Sequence, residues 1–192
     1  MIAVTLSGLR CFDMPGQTFE RDMVHAWNEY ANRRGRKLIA YRHLQTRYQP
    51  QLFDVLVDTR GMDLYLALEC KSIDTNSVDR LYFKKHFSWT KGVCQIQRET
   101  DWLNMSGRNG FLVVEARRGA GKRTTCFFVP WRVVEHAFKV GEPGIWPDQL
   151  TWTACCDKRQ GKYIFDDEFI DELVKTLDTS GREVKRSWKR KR

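Results

Sequence analysis

Apolar positions along the chain follow two rhythms. After Pro15 and Gly16, the residues Phe19, Met23, Trp27, Tyr30 and Ala31 recur at helical spacing up to the basic stop Arg33-Arg34-Gly35-Arg36. That spacing predicts an amphipathic helix over 18–33. Three short runs with strand character follow, over 38–42, 53–58 and 64–71, and the turn-like Thr59-Arg60-Gly61-Met62-Asp63 divides the last two. Together they predict a β-meander. Helical spacing returns with Val93, Ile96, Trp102 and Leu103 over 92–105 and stops at Gly107-Arg108-Asn109-Gly110. The runs 111–116 and 124–129 flank the basic turn Arg117-Arg118-Gly119-Ala120-Gly121-Lys122-Arg123 and read as a hairpin, after which Pro130 opens a short helix. Past the Gly/Pro-bearing stretch 141–147, strands are expected over 150–154 and 162–165, and a helix over 167–177. Beyond Thr179 the sequence is too polar to fold alone and reads as a flexible basic tail over 179–192.

Strands and helices in this mixture give an α/β chain with an α+β mixed sheet. With 192 residues and a hydrophobic fraction of 42%, one compact domain over 1–178 is expected. Charge narrows the partners: 33 Lys and Arg against 24 Asp and Glu leave a formal net charge of +9, which favours a polyanion. Nothing approaches the run of about 18 apolar residues that a bilayer span needs, and Met1 to Arg10 lacks a signal-peptide layout, so no membrane and a cytoplasmic location are expected. Cys11, Cys70, Cys94, Cys126, Cys155 and Cys156 form no C-x-x-C pair and read as reduced thiols, mostly buried.

The informative chemistry lies in Phe53-Asp54-Val55-Leu56-Val57 and Leu66-Ala67-Leu68-Glu69-Cys70-Lys71-Ser72. Side chains alternate along a strand, so Glu69 and Lys71 share one face while Leu68 and Cys70 take the other. If the two strands pair across the intervening turn, Asp54 comes beside Glu69. Two carboxylates held together repel unless a divalent cation lies between them, and Mg²⁺ suits a few carboxylates, retained waters and a phosphate oxygen. Phosphodiester hydrolysis follows from such a site, with Lys71 orienting water or offsetting charge. The same residues also read as a cross-face ion pair with an ordinary strand-end acid.

The succession of a helix with Gly16-x-x-Phe19-Glu20, a strand with Phe53-Asp54, a strand with Glu69-x-Lys71, a helix and a strand pair resembles the αβββαβ order of the PD-(D/E)XK nucleases. Within that superfamily it looks most like the Holliday junction resolvases of archaeal type and their RecU-like relatives. Leu81 to Phe87, Gln97, Gly110 to Val114 and Phe128-Val129-Pro130 extend the match over about 16–131. The resemblance implies a restriction-endonuclease-like core over 16–131 with a C-terminal elaboration over 132–178. It implies that Glu20, Asp54, Glu69 and the carbonyl of Cys70 hold Mg²⁺, with Mn²⁺ as substitute, that Lys71 is the catalytic lysine, and that Gln97, with Gln95 close by, is the active-site glutamine. A homodimer acting on a branched, four-way DNA junction is implied as well. A restriction- or repair-type nuclease, or a non-catalytic DNA-binding module on the same scaffold, are the other readings.

Basic clusters supply the expected DNA contacts: Arg33, Arg34, Arg36 and Lys37, then Arg42 and Arg47, then Lys84 and Lys85, and on the hairpin Arg117, Arg118, Lys122 and Arg123, to which the resemblance adds Thr46 as the hydroxyl residue upstream of Asp54. An exposed turn is the competing reading of the hairpin. Its Gly119-Ala120-Gly121-Lys122 fails the phosphate-loop pattern, because Ala116 and Arg123 stand where Gly and Ser or Thr are required. His25, His43, His86 and His136 have no metal-ligand spacing. The tryptophans Trp89, Trp102, Trp131, Trp146 and Trp152 read either as base-stacking platforms or as core and interface packing.

Overall fold

A computed structural model describes residues 15–43, 52–60, 64–146 and 153–178. Helix α1 (Pro15–Arg34) opens on Pro15, which suits a first turn because its missing N–H has no intrahelical acceptor there. Strands β1 (Leu38–Arg42), β2 (Val55–Thr59) and β3 (Leu66–Asp74) run antiparallel to one another as the expected meander. After short elements comes helix α3 (Gln95–Ser106), and then β7 (Asn109–Arg117) pairs parallel with β3. Strand β8 (Thr125–Pro130) returns antiparallel to β7, and α4 (Trp131–Lys139) follows. Strands β10 (Ala154–Arg159) and β11 (Lys162–Tyr163) complete a seven-stranded sheet in the order β1-β2-β3-β7-β8-β10-β11 before α5 (Asp167–Asp178). The chain is thus a mixed α+β fold, and the order α1-β1-β2-β3-α3-β7 reproduces αβββαβ.

The sheet divides two cores. Phe19, Met23, Trp27 and Tyr30 of α1, with Phe169, Ile170 and Leu173 of α5, cover one face through Val55, Val57, Leu66, Leu68, Val113 and Phe128. Leu56, Ala67, Ile73, Leu112, Val114 and Val129 point the other way, under α3 and α4. Period-two alternation then puts Glu69 and Lys71 on the α3 side and the Cys70 thiol on the α1 side.

Of the expected strand over 150–154, residues 150–152 lie outside the described residues, and β10 runs from Ala154 to Arg159. Its polar residues find partners rather than an apolar face: Thr125 Oγ1 donates to Asp157 at 2.6 Å, and Lys158 bonds Asp22 at 2.7 Å. Periodicity also missed β4 (Leu81–Tyr82), α2 (Phe83–His86), β5 (Trp89–Thr90), β6 (Val93–Cys94) and β9 (Gly144–Ile145), each too short to show one. Cys70, Cys94 and Cys126 are buried free thiols, whereas Cys155 is exposed. No helix among the described residues is long and apolar enough to cross a membrane.

The β4–β9 ribbon carries α2, since Phe83 N donates to the Pro143 carbonyl at 2.9 Å. Its backbones meet closely at Gly144, where a Cβ would lie 2.1 Å from the Leu81 carbonyl oxygen. The obstructing atom is backbone, so Gly144→Ala is expected to cost about 2–3 kcal/mol and lower Tm by roughly 4–12 °C in a thermal melt. An unchanged Tm would contradict this packing.

Candidate active site

The β2–β3 register pairs Val55 with Leu68, so one step further Asp54 stands opposite Glu69. Asp54 N donates to Leu68 O at 3.0 Å, and Cys70 N donates to Asp54 Oδ2 at 2.7 Å, which fixes the carboxyl against β3. The residue before it, Phe53, has φ +63°, a left-handed conformation that a bulky residue adopts only under constraint. Its buried ring supplies that constraint, packed 5.4 Å from Trp102 and 5.1 Å from Trp131 between ring centroids. Burial and the charge of Glu69 push the Asp54 carboxyl up to about 8, and Glu20 adds a smaller push, against the opposing pull of Lys71 and the Cys70 N–H.

Glu69 is 2% exposed and accepts from both Lys71 Nζ and, at 2.8 Å, Gln95 Nε2. Burial alone would lower the Lys71 ammonium, but Glu69 and Asp54 outweigh it and hold the group above its ordinary range. The Phe87 ring centroid lies 5.4 Å from Nζ, giving the ammonium an aromatic face. Sequence order favoured Gln97 as the glutamine here. Gln97 is exposed, and Gln95, the first residue of α3, is the one that reaches Glu69.

Gln95 Nε2 also bonds Glu99 Oε1 at 2.8 Å, one helical turn on. Glu99 is fully buried, and its Oε1 also meets the backbone N–H of Phe53 at 3.5 Å. Burial, and then the charge of Glu69, push the Glu99 carboxyl well above the usual carboxylate range. Its Oε2 has no hydrogen-bond partner among the described residues. The sequence reading did not pick out Glu99; the signal for it was an i, i+4 Gln–Glu pair at the start of a helix behind the Glu69 strand. Gln95 thus spans Glu69 and Glu99, and Gln95→Ala is expected to lower any metal-dependent cleavage about 10- to 100-fold, with Gln97→Ala within about twofold of the parent. Equal losses in the two variants would contradict the assignment.

Glu20 is drawn outside the pair. Arg42 grips its carboxylate, with Nε 2.9 Å and Nη2 2.5 Å from Oε2. Glu20 thus stands paired with Arg42, near enough to Asp54 for its charge to raise the Asp54 carboxyl. Among the described residues no three His, Cys, Asp or Glu side chains form a group that would hold a metal ion. The available donors are the Asp54 and Glu69 carboxylates and the Cys70 backbone carbonyl. All are hard oxygens, and two carboxylates are the number that Mg²⁺ accepts while keeping its waters. By donor chemistry these residues fit such an ion, which would also offset the repulsion between Asp54 and Glu69.

The basic residues separate by place. Lys84 and Lys85 are exposed on α2, close enough that burial, Lys85 and Lys71 together depress His86. Arg117, Arg118, Lys122 and Arg123 are exposed at the β7–β8 turn, roughly 10 Å beyond Lys71 along the sheet, and Arg123 pairs with Asp157 at 2.9 Å. Arg33, Arg34, Arg36 and Lys37 do not border the site. They lie some 20 Å from Glu20 at the far end of α1, where Arg33 bonds the Phe165 carbonyl and Arg34 pairs with Asp167 at 2.9 Å. Thr46, Arg47, Trp152, Cys11 and the tail over 179–192 lie outside the described residues.

No family model and no curated protein matches the sequence. Among solved structures, the chain is similar to Hjc, a Holliday junction resolvase from the archaeal hyperthermophile Archaeoglobus fulgidus, with 16% identity and a TM-score of 0.40 over 62% of this chain and 75% of that one.

Proposed function

We propose that the chain is a metal-dependent endodeoxyribonuclease that hydrolyses phosphodiester bonds in branched DNA, four-way junctions foremost. The carrying observation is the pair Asp54 and Glu69, opposed on adjacent strands with the Lys71 ammonium against them. In this reading Asp54, Glu69 and the Cys70 carbonyl hold Mg²⁺, or Mn²⁺ in its place. A bound divalent ion would polarise the phosphate and lower the pKa of a bound water.

The remaining work belongs to the chain. Gln95, braced on Glu99, orients Glu69, while the Phe53 kink and the Cys70 N–H orient Asp54. Lys71 remains an ammonium across the working range, so it cannot take a proton from water. Its task is to stabilise negative charge that builds on the phosphate oxygens. Lys84 and Lys85 beside the site, and the hairpin arginines and Lys122 beyond it, provide phosphate contacts that recognise no base sequence. The choice of a four-way junction rests on the sequence resemblance. Paired cuts across a two-fold substrate need two opposed sites, which a homodimer supplies.

Incubation of the protein with a four-way junction, a linear duplex and a flap, with and without Mg²⁺, tests the reading. Paired nicks in the junction, only with metal and much faster than in linear duplex, are expected. Equal cutting of linear duplex would reduce the proposal to a general nuclease, and no cutting of any DNA would contradict it.

A further inference from the structure

We propose that Trp89 is a stacking platform for an unstacked nucleobase of the DNA branch. The proposal rests on the nuclease reading above and names the part of the substrate that this surface takes. Among the described tryptophans, Trp27 and Trp131 are buried, Trp102 and Trp146 are partly buried, and Trp89 is 53% exposed. It stands on a hairpin of two-residue strands, with Trp89 opposite Cys94 and Thr90 opposite Val93. The turn residues Lys91 and Gly92 have φ of +51° and +79°, the geometry of a tight two-residue hairpin.

The hairpin is tied rigidly to the candidate site. Gln95 N donates to Ser88 O at 2.8 Å, and Ser88 N donates to Gln95 Oε1 at 3.1 Å, so the residue next to Trp89 is held by the glutamine that bonds Glu69. Arg98 clamps the base of the hairpin through Val93 O at 3.0 Å and Ser88 Oγ at 3.2 Å. On one side the indole leans on Phe138, with ring centroids 6.4 Å apart, which limits its motion while leaving over half the residue in solvent.

The surroundings select the occupant. The stretch 83–98 contains Lys84, Lys85, Lys91 and Arg98 and no Asp or Glu. An exposed π surface on a stretch with four cations and no acid matches a base with its flanking phosphates, and aromatic stacking accepts any base without regard to sequence. A continuous duplex keeps its bases stacked on one another, whereas a branch point offers an unstacked one. Trp89 therefore favours branched over linear DNA at the place where Asp54 and Glu69 act.

The test uses 2-aminopurine at the branch point of a four-way junction, with Ca²⁺ in place of Mg²⁺ to hold off cleavage. Binding of the parent protein should quench the probe. In Trp89→Ala the quench is lost and the preference for junction over linear duplex falls about tenfold, while Trp89→Phe keeps most of both. The proposal is overturned if Trp89→Ala retains quench and preference, if it weakens both DNAs equally, or if sedimentation shows that the change only disrupts self-association. The two readings separate cleanly. Quenching by a parent protein that leaves DNA uncut in Mg²⁺ counts against the nuclease alone, and cleavage with an unaltered Trp89→Ala counts against stacking alone.

Discussion

In the Asp54→Asn protein, cleavage falls about a thousandfold or more, DNA affinity is kept, and the metal-free fold becomes more heat-stable at alkaline pH. The three effects share one cause. The ordinary aspartate value is 3.8, and in the folded chain burial and Glu69 raise it to about 8. The folded state thus binds the Asp54 proton more tightly than the unfolded state does. That contribution to stability is complete below about pH 4 and is lost as pH rises through about 8, where an ionised Asp54 must face Glu69. Asparagine carries no such proton, so the variant lacks this decline. A divalent ion binds the ionised pair, so the rise in parent Tm on adding Mg²⁺ should grow between about pH 6 and pH 9, and it should vanish in Asp54→Asn. Scanning fluorimetry with and without Mg²⁺ measures both slopes. Parallel pH profiles for the two proteins would mean that Asp54 and Glu69 do not oppose one another.

Lys71→Met is expected to lower the cleavage rate about 100- to 1000-fold while leaving metal affinity equal or tighter, because the ammonium that competes for Glu69 has gone. Its raised pKa excludes a role as a base, so the surviving activity should keep the parent's pH dependence. In the absence of metal the substitution strands Glu69, 2% exposed, with Gln95 as its remaining donor, at a cost of about 3–5 kcal/mol. Saturating Mg²⁺ should recover part of that loss in a denaturant titration. A lysine acting instead as a metal ligand or a base would reveal itself by weakened metal binding or a displaced pH profile.

What the sequence made legible follows from which signals are local. Alternation along 66–71 places Glu69 and Lys71 on one face whatever the rest of the fold does, and a single pairing brings Asp54 opposite. The fate of Glu20 was not local. Helical spacing puts Glu20 beside the apolar stripe of Met23 and Trp27 on α1, and the approach of Arg42 from the end of β1 then engages its carboxylate. Choosing between Gln95 and Gln97 required knowing which turn of α3 faces β3, and a two-residue strand just before the helix sets that phase. Glu99 escaped notice because a helical glutamate reads as a solvated charge until its burial is known. The Arg33–Lys37 cluster misled for the converse reason: charge density marks a surface, and the length of α1 then carries that surface away from the chemistry.

Calorimetric titration of the metal-free protein with Mn²⁺ at about pH 8.5, alongside Asp54→Asn, addresses the shared-cation claim most directly. The account predicts saturable binding in the parent, proton release on binding that diminishes once pH exceeds the Asp54 value, and no comparable binding in the variant. Undiminished Mn²⁺ binding by Asp54→Asn, or none by the parent, would contradict it.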